Sequence, residues 1–439
     1  MITNEDLRIT ALGERLFPSR LGFSAVDSDT MPEYVTDDHR MRFQVEVNLR
    51  AGEVTDASFE VAGPRDHTYF DPGRSKVAIV TCGGLSPGLN NVIRSVVLDL
   101  YFKYQVAEIV GIRNGFKGLN PAHGYRPILL KPENVDGIEK YGGSILGSSR
   151  GNEDPKTMVD TLENLGISIL LCVGGDGTLR GAHAIWEEIR RRGLKIAVVG
   201  VPKTIDNDIN FVYKTFGFDT AVGKAREVLD CAHAEALGAP NGIGLVKVMG
   251  RDSGFIAAYA TLASLEVNFC LIPEVPFDLY GDGAFLPLLE ERLKRREHAV
   301  IVVAEGAGQD LIRSDTERRD ASGNILHEDV GIFLKNKVSQ YFEERRFHIN
   351  LKYIDPSYII RSVPADATDA IFCDNLSRHA AHAGVAGKTD LVIGYWHGVY
   401  VHVPLPLAVR TRKRVRLDGS LWRQVLEVTG QPVSMKAAS

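Results

Sequence analysis

From Lys76 onward, short apolar runs alternate with glycine-bearing loops and with longer stretches of helical character. Val77-Ala78-Ile79-Val80 reads as a strand, Gly83 to Asn90 as a loop, and Asn91 to Tyr104 as a helix. The same order returns in Ile167 to Val173, Gly174 to Thr178 and Leu179 to Arg192. Lys195 to Val201 is a further strand, and Gly244 to Val248 and Ala299 to Ala304 are two more, each with a loop behind it. Apolar runs of this length closed by Gly or Pro mark strands buried in a parallel sheet. Strand and helix alternating at this spacing predicts an α/β fold with doubly wound, mostly parallel sheets and helices on both faces. Two such Rossmann-like domains joined near residue 217 would leave an active-site cleft between them.

The first 75 residues follow a different pattern and predict a small β-containing N-terminal extension. Phe43, Val45 and Val47 alternate with polar residues, as a half-buried strand does. Ala51-Gly52 supplies a turn and Ser58-Phe59-Glu60-Val61 the returning strand. Asp71-Pro72-Gly73-Arg74 punctuates the chain before the main body. No catalytic constellation stands out here. The expectation is a small sheet that packs on the body or on a partner subunit.

Composition narrows the function classes. The chain has 439 residues, 44% hydrophobic and 24% charged, with a net charge of −5. Bulk electrostatics therefore disfavour nucleic acid and anionic membranes as partners. Cys82, Cys172, Cys231, Cys270 and Cys373 form no C-x-x-C pair, so neither a zinc knuckle nor a thioredoxin-type site is indicated. A sparse, odd set of thiols fits a reducing compartment. No apolar run is long enough to span a bilayer, and the acidic start lacks a signal-peptide pattern. A cytoplasmic protein is the expectation.

Polar groups at the carboxyl ends of parallel strands sit where open α/β sheets bind ligands. Pro202-Lys203-Thr204-Ile205-Asp206-Asn207-Asp208 follows such a strand and concentrates carboxylates and an amide in consecutive positions. Taken alone, it is equally a turn or a helix cap. Gly83-Gly84-Leu85-Ser86-Pro87-Gly88-Leu89-Asn90 opens a helix, as either a phosphate cradle or a tight turn. Gly174-Gly175-Asp176-Gly177-Thr178 sets a carboxylate inside a glycine loop. Beside phosphates, that carboxylate calls for a divalent cation, and Mg²⁺ takes one or two protein carboxylates plus phosphate oxygens. Met249-Gly250-Arg251-Asp252-Ser253-Gly254 offers an Arg clamp for phosphate, and Ala304-Glu305-Gly306 a carboxylate suited to a sugar hydroxyl.

Together with Gly147-Ser148-Ser149-Arg150 and Tyr358-Ile359-Ile360-Arg361, these loops resemble the phosphofructokinase family, in family order, over residues 76 to about 404. The resemblance implies phosphoryl transfer from ATP to O1 of fructose 6-phosphate, with Mg²⁺ as cofactor. It implies a nucleotide-binding domain of residues 76–217 with 360–404, and a sugar-phosphate domain of residues 218–359 with 405–439. By position, Asp206 is similar to the general base, with Thr204, Lys203 and Arg251 as further catalytic residues and Asp176 as the metal ligand. Gly83, Gly84, Arg150, Gly151, Gly175, Asp176, Gly177 and Thr178 match the nucleotide site. The sugar-phosphate site is matched by Thr204, Ile205, Asp206, Met249, Gly250, Arg251, Glu305, Lys352, Tyr358, Ile359, Ile360 and Arg361.

The donor turns on two of these positions. Pyrophosphate-dependent members carry Asp where this chain has Gly177, and a carboxylate there would crowd and repel the α-phosphate of ATP. Lys203 is shared with the pyrophosphate users, whereas short bacterial ATP enzymes carry Gly. The mixture resembles the ATP-dependent branch close to the pyrophosphate enzymes, as in trypanosomatids and some bacteria. Departures fall in the 6-phosphate pocket: Gly242 and Lys352 stand where the bacterial pattern has Arg, and Tyr358 replaces a His. The alternatives are pyrophosphate as donor, another kinase with a glycine-aspartate loop, or a non-catalytic regulatory subunit. The resemblance also implies a homodimer or homotetramer.

Overall fold

The computed structural model describes residues 2–26, 30–46, 55–151, 153–312 and 327–437. The chain divides into two compact units. Residues 1–204, 209–217 and 363–412 form the first, and residues 205–208, 218–362 and 413–439 the second.

The first unit is built on a nine-stranded sheet. Its five central strands, in spatial order Leu391–Trp396, Ala197–Pro202, Ile169–Gly174, Lys76–Thr81 and Glu108–Ile112, run parallel. Helices cover both faces, so alternate residues of one strand enter two different cores. Ala78 and Val80 join one core, and Val77 and Ile79 the other. That is why these runs are apolar at every position instead of alternating. Helix Leu89–Leu98 starts two residues before the expected boundary and continues as a π-helical stretch, Asp99–Tyr104.

The glycine-aspartate loop is shorter than expected. The strand runs through Gly174 and helix Asp176–Arg192 begins two residues later, leaving Gly175 as the only linking residue. Asp176 thus lies in the first helical turn, where the dipole favours a negative charge.

The N-terminal extension makes one small sheet of its own, Phe17–Pro18 paired antiparallel with His67–Thr68, and otherwise adds strands to the body. Ser58–Val61 pairs antiparallel with Val399–Pro404 and so widens the main sheet, and Arg40–Arg42 pairs outside it. Residues 43–46 form no strand, while Val47 and the Ala51-Gly52 turn lie outside the described residues. Phe43 instead stacks on Trp396 (ring centroids 5.7 Å apart), whose indole N–H donates to the Phe43 carbonyl at 3.0 Å. Leu7 and Phe59 are fully buried in the core of this unit. Beside them Glu60 binds Arg65 at 2.7 Å, His402 at 2.9 Å and Lys388 at 3.1 Å, and Asp37 binds Arg65 at 2.8 Å and Lys388 at 3.1 Å.

The second unit holds a four-stranded, all-parallel sheet in the order Phe269–Leu271, His298–Ala304, Gly242–Val248, Asn350–Ile354. Helices Phe218–Leu237 and Phe255–Ser264 pack on one face, and Phe285–Arg296 and Val330–Glu344 on the other. Residues 405–412, expected with this unit, lie in the first, because Leu405, Leu407, Ala408 and Val409 are part of its core. Residues 360–362 lie in the second, where Ile360 is core. Among the described residues no helix is long and apolar enough to cross a membrane.

Candidate active site

In the first unit, three strand ends bring the nucleotide-loop residues together. Gly83 follows strand Lys76–Thr81 with φ +85°, a conformation that suits glycine. A Cβ on Gly83 would lie 3.2 Å from Lys203 Nζ and 4.0 Å from Thr178 Oγ1. The missing side chain therefore admits the buried Lys203, whose ammonium donates to the Gly84 carbonyl. The Gly83 N–H donates to the Ser149 carbonyl at 2.9 Å, and Ser148 Oγ donates to the Gly83 carbonyl at 2.6 Å. These bonds join the Ser148-Ser149-Arg150-Gly151 segment to the first glycine loop. Arg150 is exposed and Gly151 has φ +107°.

Gly174 and Gly175 lie against Thr178 and the Lys203-Thr204 segment. Gly177 differs from them: a Cβ there would meet nothing within 4 Å, and its φ is not in the left-handed range. The fold therefore does not require glycine at 177. Asp176, 11% exposed, receives Arg180 Nε at 3.0 Å and has Arg412 Nη2 at 3.7 Å, both at Oδ2. The Thr204 carbonyl accepts from Thr215 Oγ1 at 2.6 Å.

In the second unit, Ile205 is buried in the core and anchors the turn that carries Asp206, Asn207 and Asp208. Ser253 Oγ, from the Met249-to-Gly254 loop, donates to the Asp206 carbonyl at 3.1 Å. Gly250 has φ +131°, and a Cβ on it would sit 2.6 Å from the Ser253 carbonyl. The Gly250 carbonyl faces the Ala304-Glu305-Gly306 loop: Gly306 N–H donates to it at 3.1 Å, and Glu305 N–H donates to the Val248 carbonyl at 2.9 Å. The parallel pairing of Val248 with Ala304 enforces this contact. So Asp206, Met249, Gly250, Arg251 and Glu305 belong to one connected loop cluster.

The remaining expected residues are dispersed in character. Lys352 is exposed and lies inside strand Asn350–Ile354, level with Gly244 and not at the strand end. Tyr358 is 74% exposed, Ile359 is also exposed, and Arg361 lies over the Tyr358 ring, 5.1 Å from its centroid. Ile360 is fully buried, so only its backbone could touch a ligand.

Several neighbours of the cluster are not apparent from sequence spacing. His327 Nε2 lies 3.2 Å from the Arg251 carbonyl. Burial holds its imidazolium below the usual range, against the pull of Glu305. Lys413 Nζ donates to Asn207 Oδ1 at 2.8 Å, and its backbone N–H to the Asp208 carbonyl at 2.9 Å. Loss of hydration pushes the Lys413 ammonium down to about 7, with Asp208 opposing. The only sequence signal for Arg412 and Lys413 is the basic run Arg410-Thr411-Arg412-Lys413-Arg414 in a net acidic chain.

The donor set around Asp176 suits a metal carried by phosphates. Among the described residues no group of three or more His, Cys, Asp or Glu is arranged to hold a metal ion, and Asp176 offers a single carboxylate. Mg²⁺ bound chiefly by phosphate oxygens and water needs no more than that.

A parallel α/β fold with glycine loops at its strand ends defines a class of phosphate-handling enzymes. A family model described as phosphofructokinase matches residues 76–384. The chain belongs to the phosphofructokinase family. Several curated relatives, 42–49% identical over most of the chain, are named ATP-dependent 6-phosphofructokinase. The protein of Borreliella burgdorferi is 49% identical over 99% of this chain and 98% of its own length. That of Trypanosoma cruzi is 43% identical over 98% of this chain and 88% of its own. Among solved structures, a pyrophosphate-dependent phosphofructokinase from Marinobacter aquaeolei has a TM-score of 0.66 at 20% identity, covering 82% of this chain and 92% of that one. At that identity the likeness speaks for the fold.

Proposed function

We propose that this chain is an ATP-dependent 6-phosphofructokinase, moving the γ-phosphoryl group of ATP to O1 of fructose 6-phosphate and yielding fructose 1,6-bisphosphate and ADP. The observation that carries this reading is the bond between Ser253 and the Asp206 carbonyl. It joins the carboxylate turn to the Met249-Gly250-Arg251 loop, so base and sugar-phosphate residues share one scaffold. The names of the curated relatives support ATP as donor.

Asp206 takes the proton of the 1-hydroxyl as that oxygen attacks phosphorus. Thr204 orients the reacting groups. Arg251 neutralises charge on the moving phosphoryl, and Arg150 and Lys203 hold the donor phosphates. Phosphoryl transfer needs alignment and charge stabilisation more than covalent chemistry, which fits a site made of arginines, a lysine and one base. Glu305 and the Gly250 backbone bind sugar hydroxyls. Tyr358, Ile359, Ile360, Arg361 and Lys352 complete the sugar-phosphate contacts. Gly83, Gly84, Gly151, Gly175 and Thr178 line the donor site with backbone N–H groups and a hydroxyl. Asp176 would hold Mg²⁺, which supplies charge neutralisation at the donor phosphates.

Gly177 supports ATP over pyrophosphate. Nothing in the packing demands glycine there, and its bareness leaves room for a nucleoside beyond the β-phosphate. Lys203 favours the second reading, pyrophosphate as donor, since the pyrophosphate-dependent pattern shares it. The test is turnover with each donor at matched Mg²⁺. Preference for ATP supports the proposal, and equal or better turnover with pyrophosphate overturns it. The presence of both Asp206 and Asp176 argues against a non-catalytic subunit. A cytoplasmic location, supported by five cysteines that form no disulfide, four of them buried, and a homodimer or homotetramer, implied by the family resemblance, complete the reading.

A further inference from the structure

Within the second unit, the turn carrying Asp206 is held from the far end of the sequence. Lys413 reaches it twice: its backbone N–H donates to the Asp208 carbonyl at 2.9 Å, and its ammonium donates to Asn207 Oδ1 at 2.8 Å. Asn207 is buried and left-handed (φ +52°), so its amide has a fixed direction. The same ammonium lies over the Phe255 ring, 5.1 Å from its centroid, within cation–π range. Phe255 opens helix Phe255–Ser264, two residues after the Ser253 that bonds the Asp206 carbonyl.

A second tie closes the circuit. Glu274 accepts from the Gly254 N–H at 3.1 and 3.0 Å and from the Val415 N–H at 2.8 Å. One carboxylate therefore fixes residue 254, next to Ser253, and residue 415, two beyond Lys413. Burial pushes the Glu274 carboxyl up, against these two N–H donors. The turn is thus held at the Asp206 carbonyl and at the two residues after it by residues far away in sequence.

We propose that Lys413 is a positioning residue for phosphoryl transfer: through Asn207 and Asp208 it sets the direction of the Asp206 carboxylate, without touching substrate. The proposal rests on Asp206 being the base. A base must stand within hydrogen-bond reach of the hydroxyl it deprotonates, and misplacement by about 1 Å can cost on the order of 10²-fold in rate. Lys413 acts on that placement and not on substrate affinity.

The test is steady-state kinetics of Lys413→Met, Lys413→Arg, Asn207→Gly and Asp206→Asn, with thermal melts of each. Asn207→Gly removes the other end of the bond while keeping the left-handed backbone. Lys413→Met and Asn207→Gly are expected to lower kcat by about 10–100-fold, with KM for both substrates within about twofold. Lys413→Arg, which keeps charge and donor, should restore most of the loss. In Lys413→Met combined with Asp206→Asn the losses should not multiply, since both act through one carboxylate. If kcat stays within twofold of the parent in both Lys413→Met and Asn207→Gly while Asp206→Asn is inactive, the positioning role is wrong and the base assignment stands. A fully active Asp206→Asn removes the base and the proposal with it. Loss of melting temperature, kcat and both KM values in parallel would assign Lys413 to folding and also overturn the proposal.

Discussion

Asp206 is the proposed base, and that role sets a sharp expectation. Asp206→Ala should lower kcat by about 10²–10⁴-fold with little change in KM for fructose 6-phosphate, because a positioned base acts mainly in the transition state. Near-normal turnover would remove it from that role. Gly177 permits a cleaner experiment than most glycine positions. A side chain there meets open space in an ordinary backbone conformation, so Gly177→Asp should fold and melt like the parent. Its kcat/KM for ATP should fall by at least about tenfold, as a carboxylate faces the α-phosphate. Paired assays with ATP and pyrophosphate check this, and unchanged ATP kinetics would move the donor choice elsewhere. Some residues were legible because chemistry and order coincide: Asp176, Asp206 and Arg251 each follow a strand the pattern predicts. Lys413 and Arg412 were not, since nothing in a surface-like basic run says which loop each one meets.

At the scale of elements, the parallel strands at 76–81, 169–174, 197–202, 242–248 and 298–304 were readable to within about two residues, because burial on both faces leaves an unbroken apolar run, whereas Glu108–Ile112, Phe269–Leu271, Asn350–Ile354 and Leu391–Trp396 were not singled out. Nor were the edge strands. Arg40–Arg42 carries charges and only one half-buried position, and its strand character comes from pairing with Ser58–Val61. The buried charges beneath that edge carry a pH prediction. Burial raises the cost of ionising Glu60, yet the bond from His402 and the charges of His402, Lys388 and Arg65 outweigh it and bring the carboxyl down to about 2. A carboxyl whose folded value is depressed adds stability above its unfolded value, near 4.5, and that stability is lost as pH falls towards 2. Glu60→Gln should therefore lower the melting temperature markedly at neutral pH, through a loss on the order of 3 kcal/mol from breaking a buried pair. The gap from the parent should narrow between about pH 4.5 and 2. Melts across that range test the sign, and a gap that widens in acid would contradict it.

At the scale of the whole molecule, the extension is part of the first unit and not an ornament. Removing residues 1–62 would strip Ser58–Val61 from the main sheet, bare the edge of Val399–Pro404, and leave Lys388 and His402 facing no Glu60. An exposed strand edge over an opened core is an aggregation site. The truncated chain should therefore be largely insoluble or melt far below the parent, as size-exclusion chromatography and thermal unfolding would show. A soluble, equally stable truncation would make the extension dispensable. The amino-acid order alone determined the α/β alternation, the positions of the most apolar parallel strands and the polar glycine loops behind them. These depend on period, local turn chemistry and side-chain type, all properties of neighbouring residues. Only the tertiary structure decided that the extension widens the main sheet, that residues 405–412 belong to the first unit, and that Lys413 and Glu274 frame the Asp206 turn. Those outcomes join positions more than a hundred residues apart, and such pairings are chosen by global packing and desolvation, which leave no periodic mark along the chain.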